Sequence, residues 1–383
     1  MIAAGSPGGS PLPFLKGENS MLKERLRGLL RELTGIPGVS GEEQKVIAAM
    51  ADKLRPMADE LSVDRWGNIV AVRKGGLPGP KVMVAAHADE IGLCVKNILP
   101  NGFLLMSRIG VVSDLLLQGR RVRINGTIPG ILGIKAGHLM SAEERTKVKP
   151  MNECYIDVGA FSRDEVLAMG IRVGDRIAFE GDFMEMTNSD LICSKAVDDR
   201  IGCSILTALF EELQGMSFPG TLCGVITVQE EIGLRGAAMV SGRVAPDYAI
   251  ALDTIPSGDT PDVSFDRQLP VRLGGGPAVA LLDGYDSAFI ANVVHPKVRR
   301  ILEEAAERAA VPLQMVTLGG EVYTTDAANI SLEANGIPVG LLLTPRRYSH
   351  SPVELVNLND AVSAVLVLKE MIRENGSVSL DFI

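Results

Sequence analysis

Hydrophobic residues along this chain follow two spacings, which predict helices and strands in turn. Leucines recur every third or fourth position over residues 22–33, as on one face of a helix, and Ser40 and Glu43 have the spacing of a capping box before a second helix. Residues 81–86 form a short apolar run, typical of a buried strand. From residue 193 onward, apolar runs and helical patterns alternate to the C-terminus. This alternation predicts an α/β fold with a mostly parallel sheet and helices on both faces.

A different pattern occupies the middle of the chain. Between about residues 91 and 180, short strand candidates are separated by Gly, Asn and Pro, and only Arg163–Met169 has helical spacing. Many short strands at close intervals predict a small β-barrel or sandwich. We therefore expect a β-barrel domain over residues 92–182, inserted into an α/β domain formed by residues 21–91 and 183–383.

The beginning of the chain differs from the rest. Residues 1–19 are rich in Gly and Pro and lack the charged and apolar regions of a secretory signal. We expect residues 1–20 to be a disordered extension or a tag, with Met21 as a natural first residue.

Composition narrows the classes of function. The 383 residues are 46% hydrophobic and 22% charged, which is typical of a globular protein with a large core. A net charge of -9 argues against nucleic acid and against an acidic membrane surface as partners. No apolar run is long enough to span a membrane. Five cysteines without a CxxC spacing or a signal peptide indicate reduced thiols, and hence a cytoplasmic location.

Polar side chains suited to metal binding or acid–base chemistry follow five of the predicted strands. Ligands of parallel α/β sheets bind outside the carboxyl ends of the strands, so we expect these side chains to share one cleft. Taken singly, each has an ordinary explanation, such as a helix cap or a turn. The other two histidines, His138 and His295, are expected to be structural or surface residues. The strand-end residues are His87, Asp89, Asp198, Asp199, Glu230, Glu231, Asp253 and His350.

Two imidazoles with at least three carboxylates suit divalent ions, and favour two ions that share one aspartate. Two such ions about 3.5–4 Å apart can activate a shared water. Glu230 and Glu231 point in different directions at a strand end, so one can bind metal while the other handles a proton. A solvated pair that caps the following helix is the alternative. The chain has no Walker phosphate loop and no GxSxG motif, which argues against phosphoryl transfer and serine hydrolysis.

Five segments contain these residues: Ala86–Gly92, Lys195–Cys203, Gln229–Gly236, Ala251–Thr254 and Tyr348–Glu354. Together they resemble the motifs of the M42 family of dinuclear metallo-aminopeptidases, which includes glutamyl and tetrahedral aminopeptidases. The resemblance runs in order from about Met21 to the C-terminus. It implies a zinc-peptidase α/β domain interrupted by a small β-domain. It also implies two zinc or cobalt ions per subunit and homo-dodecamers built from dimers.

The resemblance also implies a role for each residue. Asp198 resembles the ligand that bridges the two ions, and Glu230 resembles the general base. Asp89 resembles the carboxylate that orients a metal-binding histidine. The remaining ligands are expected to divide between the two ions, His87 with Asp253 and Glu231 with His350.

Two further expectations concern the backbone near this site. Asp198 would face two ions while Asp199 opens a helix, so we expect an unusual peptide bond between them, such as the cis bond of related zinc peptidases. Thr325-Asp326-Ala327 falls where the family has a turn near the site, whereas residues 321–324 have fewer glycines than the family pattern.

The implied function is removal of N-terminal residues from peptides by attack of a metal-bridging water. Glu230 would move the proton of this water to the leaving amine. A deacylase or carboxypeptidase with the same metal site is the nearest alternative. A metal-stabilised scaffold without catalysis is the alternative from another class, and the full ligand set together with Glu230 argues against it. The preferred N-terminal residue does not follow from the sequence.

Overall fold

The computed structural model describes residues 18–286, 289–318 and 323–380. Most of the expected N-terminal extension, residues 1–17, lies outside the described residues, and the first helix begins at Glu18, before the expected start at Met21. None of the helices in the described ranges combines the length and the apolarity that a membrane-spanning segment needs. The helices are α1 (Glu18–Thr34), α2 (Gln44–Leu54), α3 (Arg163–Ala168), α4 (Val197–Glu212), α5 (Arg235–Val244), α6 (Pro296–Ala309), α7 (Asp326–Leu332) and α8 (Leu358–Arg373).

The strands of the described ranges divide between a main sheet, a barrel and a hairpin. The hairpin pairs β15 with β16. In chain order the strands are β1 (Glu60–Val63), β2 (Ile69–Lys74), β3 (Gly76–His87), β4 (Gly92–Ile98), β5 (Leu104–Ile109), β6 (Arg121–Ile124), β7 (Ile128–Leu132), β8 (Ile156–Asp157), β9 (Arg176–Phe179), β10 (Met184–Glu185), β11 (Leu191–Ser194), β12 (Phe218–Thr227), β13 (Tyr248–Pro256), β14 (Ala278–Ala280), β15 (Leu282–Asp286), β16 (Phe289–Val293), β17 (Gln314–Val316), β18 (Val339–Arg347) and β19 (Glu354–Asn357).

The main sheet is parallel at its centre and antiparallel at its edges. Its order is β1-β2-β12-β3-β13-β18-β19-β11-β10, with β14 and β17 beside β18. Strands β12, β3, β13 and β18 run parallel to one another. The outer strands pair antiparallel with their neighbours: β2 and β1 on one side, and β19, β11 and β10 on the other. The expected α/β fold is confirmed. Parallel pairing occupies the centre of the sheet, and the short strands toward its edges pair antiparallel with their neighbours.

Helices cover both faces of this sheet, as the alternating pattern predicts. Successive side chains of a strand point to opposite faces. On β3, Val82 and Val84 belong to the buried cluster that includes α1, α4 and α8, whereas Met83 and Ala85 belong to the cluster that includes α5 and α7. The central strands are therefore buried on both sides, which explains their nearly continuous apolar sequences.

Strands β4 to β9 close into a separate barrel in the order β4-β5-β8-β7-β6-β9. The barrel has its own buried cluster, formed mainly by aliphatic residues. Strand β4 pairs with β5 and β9, while β3 and β11, which precede and follow the barrel in the chain, belong to the main sheet. We propose that residues 92–182 form an inserted domain, and that residues 21–91 and 183–383 form the domain that carries the functional site.

Candidate metal centre

Several of the polar residues that follow predicted strands meet at one edge of the main sheet. Strand β3 ends at His87, Asp253 lies on β13, and His350 lies in the loop after β18. Asp198 lies in the first turn of α4, which follows β11. Because the central parallel strands end at the same edge, residues distant in sequence come within contact distance of one another.

Asp198 lies between the two histidines. Its Oδ1 is 3.2 Å from His87 Nε2, and its Oδ2 is 3.3 Å from His350 Nε2. The carboxylate therefore presents one oxygen to each imidazole. The peptide bond between Asp198 and Asp199 is cis, which confirms the expectation of an unusual bond. Asp199 has a local role, since its Oδ1 accepts a hydrogen bond from the N–H of Gly202 within α4.

Three groups of metal-ligating atoms overlap in this cluster. Within each group, the donor atoms lie within 4.8 Å of one another. Two of the groups share Asp198, and they have the composition that the sequence resemblance implies for two ions. The three groups are His87 with Asp198 and Asp253, Asp198 with Glu231 and His350, and His87 with Glu230 and Glu231.

Burial has the largest effect on the acidity of these carboxyl groups. It raises the pKa of Glu230 and of Asp253 well above their ordinary values, and neighbouring carboxylates raise both further. Burial also raises the pKa of Glu231 to about 7. Asp198 differs: although burial opposes its ionisation, the charge of Arg346 and hydrogen bonds from the histidines hold its pKa well below the ordinary value.

The chemistry of this donor set fits divalent cations. Imidazole nitrogens and carboxylate oxygens are the ligands that zinc and related ions prefer. The carboxylates of Glu230, Glu231 and Asp253 are buried close to one another, where their negative charges repel. Buried charges are stable when they are paired or bind metal, so cations at this position would remove the repulsion.

Asp89 organises the segment that carries the two glutamates. Its Oδ1 accepts the N–H of Glu230 at 2.9 Å, and its Oδ2 accepts the N–H of Glu231 at 3.1 Å. The same Oδ2 accepts the hydroxyl of Ser40 at 2.6 Å. The predicted capping box is therefore wrong, because Ser40 donates to Asp89 and no side chain caps the start of α2. His87 Nδ1 lies 3.1 Å from the main-chain oxygen of Asp89 and 3.5 Å from its carboxylate.

Two residues beside the site have backbone conformations that are uncommon for residues other than glycine. Gln229 and His350 have φ angles of 58° and 54°, in the left-handed region. Such conformations concentrate at functional sites, where the surrounding structure enforces them. At Gln229 the turn brings the next two N–H groups toward Asp89.

Sequence reasoning missed a buried ion network beside Asp198. Arg346, on β18, places Nη2 2.6 Å from Asp198 Oδ2, and its Nη1 contacts Glu354 Oε1. Glu354 in turn accepts the N–H of Asp198 at 3.1 Å and that of His350 at 2.9 Å. The signal in the sequence is a pair of arginines directly after the apolar run of residues 339–343, since a buried arginine such as Arg346 is unusual.

The barrel also reaches the site. His350 Nδ1 lies 3.1 Å from the main-chain oxygen of Val111, in the loop after β5. This contact fixes which ring nitrogen faces Asp198. Phe179 of β9 lines the cleft that opens onto Asp198. The site therefore lies where the main sheet and the barrel meet.

The remaining expected residues have separate positions. Asp326, at the start of α7, accepts the hydroxyl of Thr227 at 2.6 Å, which places the expected turn beside the end of β12. Residues 321 and 322, part of the segment with few glycines, lie outside the described residues. His138 is exposed, and His295 accepts a backbone N–H at the start of α6, as expected for residues outside the site.

Comparison with known proteins identifies relatives along most of the chain. Residues 67–367 match the family model described as M42 glutamyl aminopeptidase. Aminopeptidase APDkam598 from the archaeon Desulfurococcus kamchatkensis has a structure with a TM-score of 0.87 and 36% identity, covering 94% of this chain and 99% of that one. The TET1 peptidase of Pyrococcus horikoshii gives a TM-score of 0.79 and 29% identity, over 91% of this chain and 99% of that one. The lysyl aminopeptidase of Pyrococcus furiosus is 32% identical over 358 residues, which are 90% of this chain and 96% of that protein. The chain therefore belongs to the M42 glutamyl aminopeptidase family, and it is a peptidase.

Proposed function

We propose that this protein is a dinuclear metal-dependent aminopeptidase that removes N-terminal residues from peptides. The observation that carries the proposal is the pair of donor groups that share Asp198. A shared carboxylate between two groups of donors is suited to holding two ions about 3.5–4 Å apart. We therefore propose two divalent ions per subunit, zinc or cobalt, with these five ligands: His87, Asp198, Glu231, Asp253 and His350.

The proposed general base is Glu230. When bound, the ions would polarise the scissile carbonyl and lower the pKa of a water molecule. Glu230 belongs to neither of the two groups that share Asp198, and its Oε2 approaches His87 Nε2 at 4.0 Å. Its carboxylate is therefore free to accept the proton of the attacking water and to deliver it to the leaving amine.

Asp89 supports this chemistry through position. By accepting the N–H groups of both Glu230 and Glu231, it fixes the proposed base relative to a proposed ligand. Its main-chain oxygen lies beside His87 Nδ1 and so directs Nε2 toward Asp198. Partners of this kind typically change metal affinity or activity by about 10–100-fold when they are removed.

The relatives of this chain favour an aminopeptidase over a carboxypeptidase with the same ligands. The family model that matches residues 67–367 is described as M42 glutamyl aminopeptidase. The lysyl aminopeptidase of Pyrococcus furiosus, 32% identical to this chain, is likewise named as an aminopeptidase.

A panel of aminoacyl-p-nitroanilides, assayed with metal-free protein and after addition of zinc or cobalt, tests the proposal. Matched peptides with free and acetylated N-termini separate aminopeptidase from deacylase activity, and peptides with free and amidated C-termini test carboxypeptidase activity. We expect metal-dependent hydrolysis of the free peptides at the first bond. Hydrolysis of acetylated peptides only, or metal-loaded protein without activity on any peptide, would contradict the proposal.

We also propose that the protein assembles with itself into a dodecamer built from dimers. The support is the TET1 peptidase of Pyrococcus horikoshii, which can assemble into a tetrahedron or a large octahedral shell. The cytoplasmic location stays a prediction from cysteine usage, and all five cysteines of the structure are free thiols.

A further inference from the structure

A permanently charged arginine lies inside the candidate metal centre. Arg346 is 2% exposed, and its Nη2 lies 2.6 Å from Asp198 Oδ2. A guanidinium stays protonated under all conditions in which proteins fold. Although burial opposes its charge, the carboxylates of Asp198 and Glu354 raise the pKa of Arg346 further. A cation of the protein itself therefore lies against the carboxylate that we propose as the bridging ligand.

The arginine contacts one particular oxygen of Asp198. That oxygen is Oδ2, which lies 3.3 Å from His350 Nε2, whereas Oδ1 lies 3.2 Å from His87 Nε2. Arg346 therefore lies on the side of the group formed by Asp198, Glu231 and His350. The group formed by His87, Asp198 and Asp253 uses the other oxygen, Oδ1.

Two effects of Arg346 on this group oppose each other. The guanidinium helps to hold Asp198 in place, which favours metal binding. Its positive charge also repels a divalent ion and competes for the electron density of Oδ2, which disfavours binding. Asp198 and His350 are held in addition by N–H bonds to Glu354, and the His350 ring by the main-chain oxygen of Val111. These bonds supply positioning without Arg346. Glu354 offsets part of the positive charge of Arg346, but the guanidinium lies directly against Oδ2, so the repulsion decides the net effect.

We propose that Arg346 makes the two ion positions unequal, with the weaker and more exchangeable ion between Glu231 and His350. The tighter ion would lie between His87 and Asp253. This inference rests on the proposed dinuclear function and adds the residue that sets the occupancy of its second ion. At limiting metal the subunit would hold one ion, and the second would bind only as metal concentration rises.

Zinc titration of metal-free protein in competition with a chromophoric chelator tests this inference. For the wild-type protein we expect two distinct dissociation constants. The Arg346→Met variant keeps most of the side-chain length without the charge. It should lower the weaker constant about tenfold or more and change the tighter one by less than about threefold.

Three variants control this experiment. Arg347→Met removes the neighbouring arginine, which pairs with Asp259 at 2.8 Å, and should leave both constants unchanged. Arg346→Lys keeps a positive charge and should keep the second ion weak. Arg346→Gln removes the positive charge but keeps an N–H donor for Glu354, and it should show the same tightening as Arg346→Met. Circular dichroism verifies that each variant is folded.

The outcomes separate this inference from the function on which it rests. Equal zinc affinities in the wild-type protein would overturn the role of Arg346. A second ion that binds more weakly, or equally, in the folded Arg346→Met and Arg346→Gln variants would do the same, and the dinuclear site would still stand. Fewer than two zinc ions bound by every variant at saturating zinc would instead contradict the proposed function itself.

Discussion

Two adjacent carboxylates with different surroundings define the site at the scale of single residues. Glu231 Oε1 lies 3.7 Å from His350 Nε2 and belongs to a donor group with Asp198. Glu230 lies toward His87 and outside both groups that share Asp198. Because successive residues point in different directions where a strand ends, one backbone segment supplies both a proposed ligand and a proposed base.

Replacement of each glutamate by glutamine separates these two roles. Glu230→Gln keeps shape and polarity but removes proton acceptance, so turnover should fall by about 10²-fold or more while metal content stays near two ions per subunit. Glu231→Gln should weaken one ion, and excess metal should restore part of the activity. Steady-state kinetics together with elemental analysis measure both effects. Loss of an ion in Glu230→Gln, with both ions retained in an inactive Glu231→Gln, would reverse the assignment.

Asp89 offers a second test at this scale. Its carboxylate accepts three donors, from Ser40, Glu230 and Glu231. An asparagine has a single acceptor oxygen, and its NH₂ group would face an N–H donor. Asp89→Asn should therefore reduce kcat/KM or zinc affinity by about 10–100-fold. Ser40→Ala removes one donor and leaves both backbone contacts possible, so its effect on the same assays should be clearly smaller. Equal activity of Asp89→Asn and wild type would contradict the positioning role.

The residues of the site differ in how far the sequence alone predicts them. His87, Asp253 and His350 lie at or just after apolar runs, and their side-chain types suggest metal binding, so position and chemistry together predict them. Arg346 pairs with Asp198, and Glu354 accepts the N–H of Asp198, a residue far from both in sequence. Periodicity carries no information about such contacts, and for that reason these two residues appear only in the structure.

At the scale of elements, close packing of backbone segments positions the site. The segment that carries Glu230 and Glu231 lies between β12 and α5. Gly236, in the first turn of α5, donates its N–H to the main-chain oxygen of Val228 at 2.9 Å. A Cβ at Gly236 would lie 2.6 Å from Val228 N, 2.5 Å from Asn68 Oδ1 and closer still to the Val228 oxygen. Helix α5 therefore approaches the strand at a distance that only glycine permits.

Replacement of this glycine should destabilise the protein although alanine is the better helix former. Gly236→Ala should lower the free energy of unfolding by about 1–3 kcal/mol, because backbone atoms must move to admit the methyl group. Gly242 lies in the same helix, and a Cβ there would meet only the end of the flexible Glu333 side chain, at 3.0 Å. Gly242→Ala should raise stability by about 0.5–1 kcal/mol. Urea denaturation at equal protein and metal concentrations measures both, and a stabilising Gly236→Ala would refute the close-packing argument.

Long apolar elements are predictable from the sequence, and short exposed ones are not. The spacing of the leucines in α1 predicts a helix that is buried on one face. The apolar run in β3 predicts a strand that is buried on both faces. Strands β1, β10 and β19 are only a few residues long at or near the sheet edges, and they take their conformation from a neighbour rather than from their own pattern. The capping box fails for a related reason, because a buried carboxylate of the site binds the Ser40 hydroxyl.

At the scale of the whole molecule, the barrel and the main sheet together form the surroundings of the site. The main-chain oxygen of Val111 in the barrel contacts His350, and Phe179 lines the cleft. The change of pattern near residues 91 and 180 predicts a separate β-rich segment. It gives no information on how the barrel lies against the sheet, because that arrangement depends on contacts such as that of Val111.

We expect the assembly of the subunits to depend on metal. With saturating zinc or cobalt, light scattering should give a mass twelve times the 40.8 kDa of the chain. Metal-free protein should dissociate toward dimers, because metal binding is coupled to the structure of the loops that carry proposed ligands, such as that of His350. His350→Ala should show the same shift at metal concentrations that keep the wild type assembled, whereas Arg347→Ala, which leaves the proposed ligands intact, should not. A monomer in the presence of saturating metal would contradict the proposed assembly, while dimers without metal would agree with it.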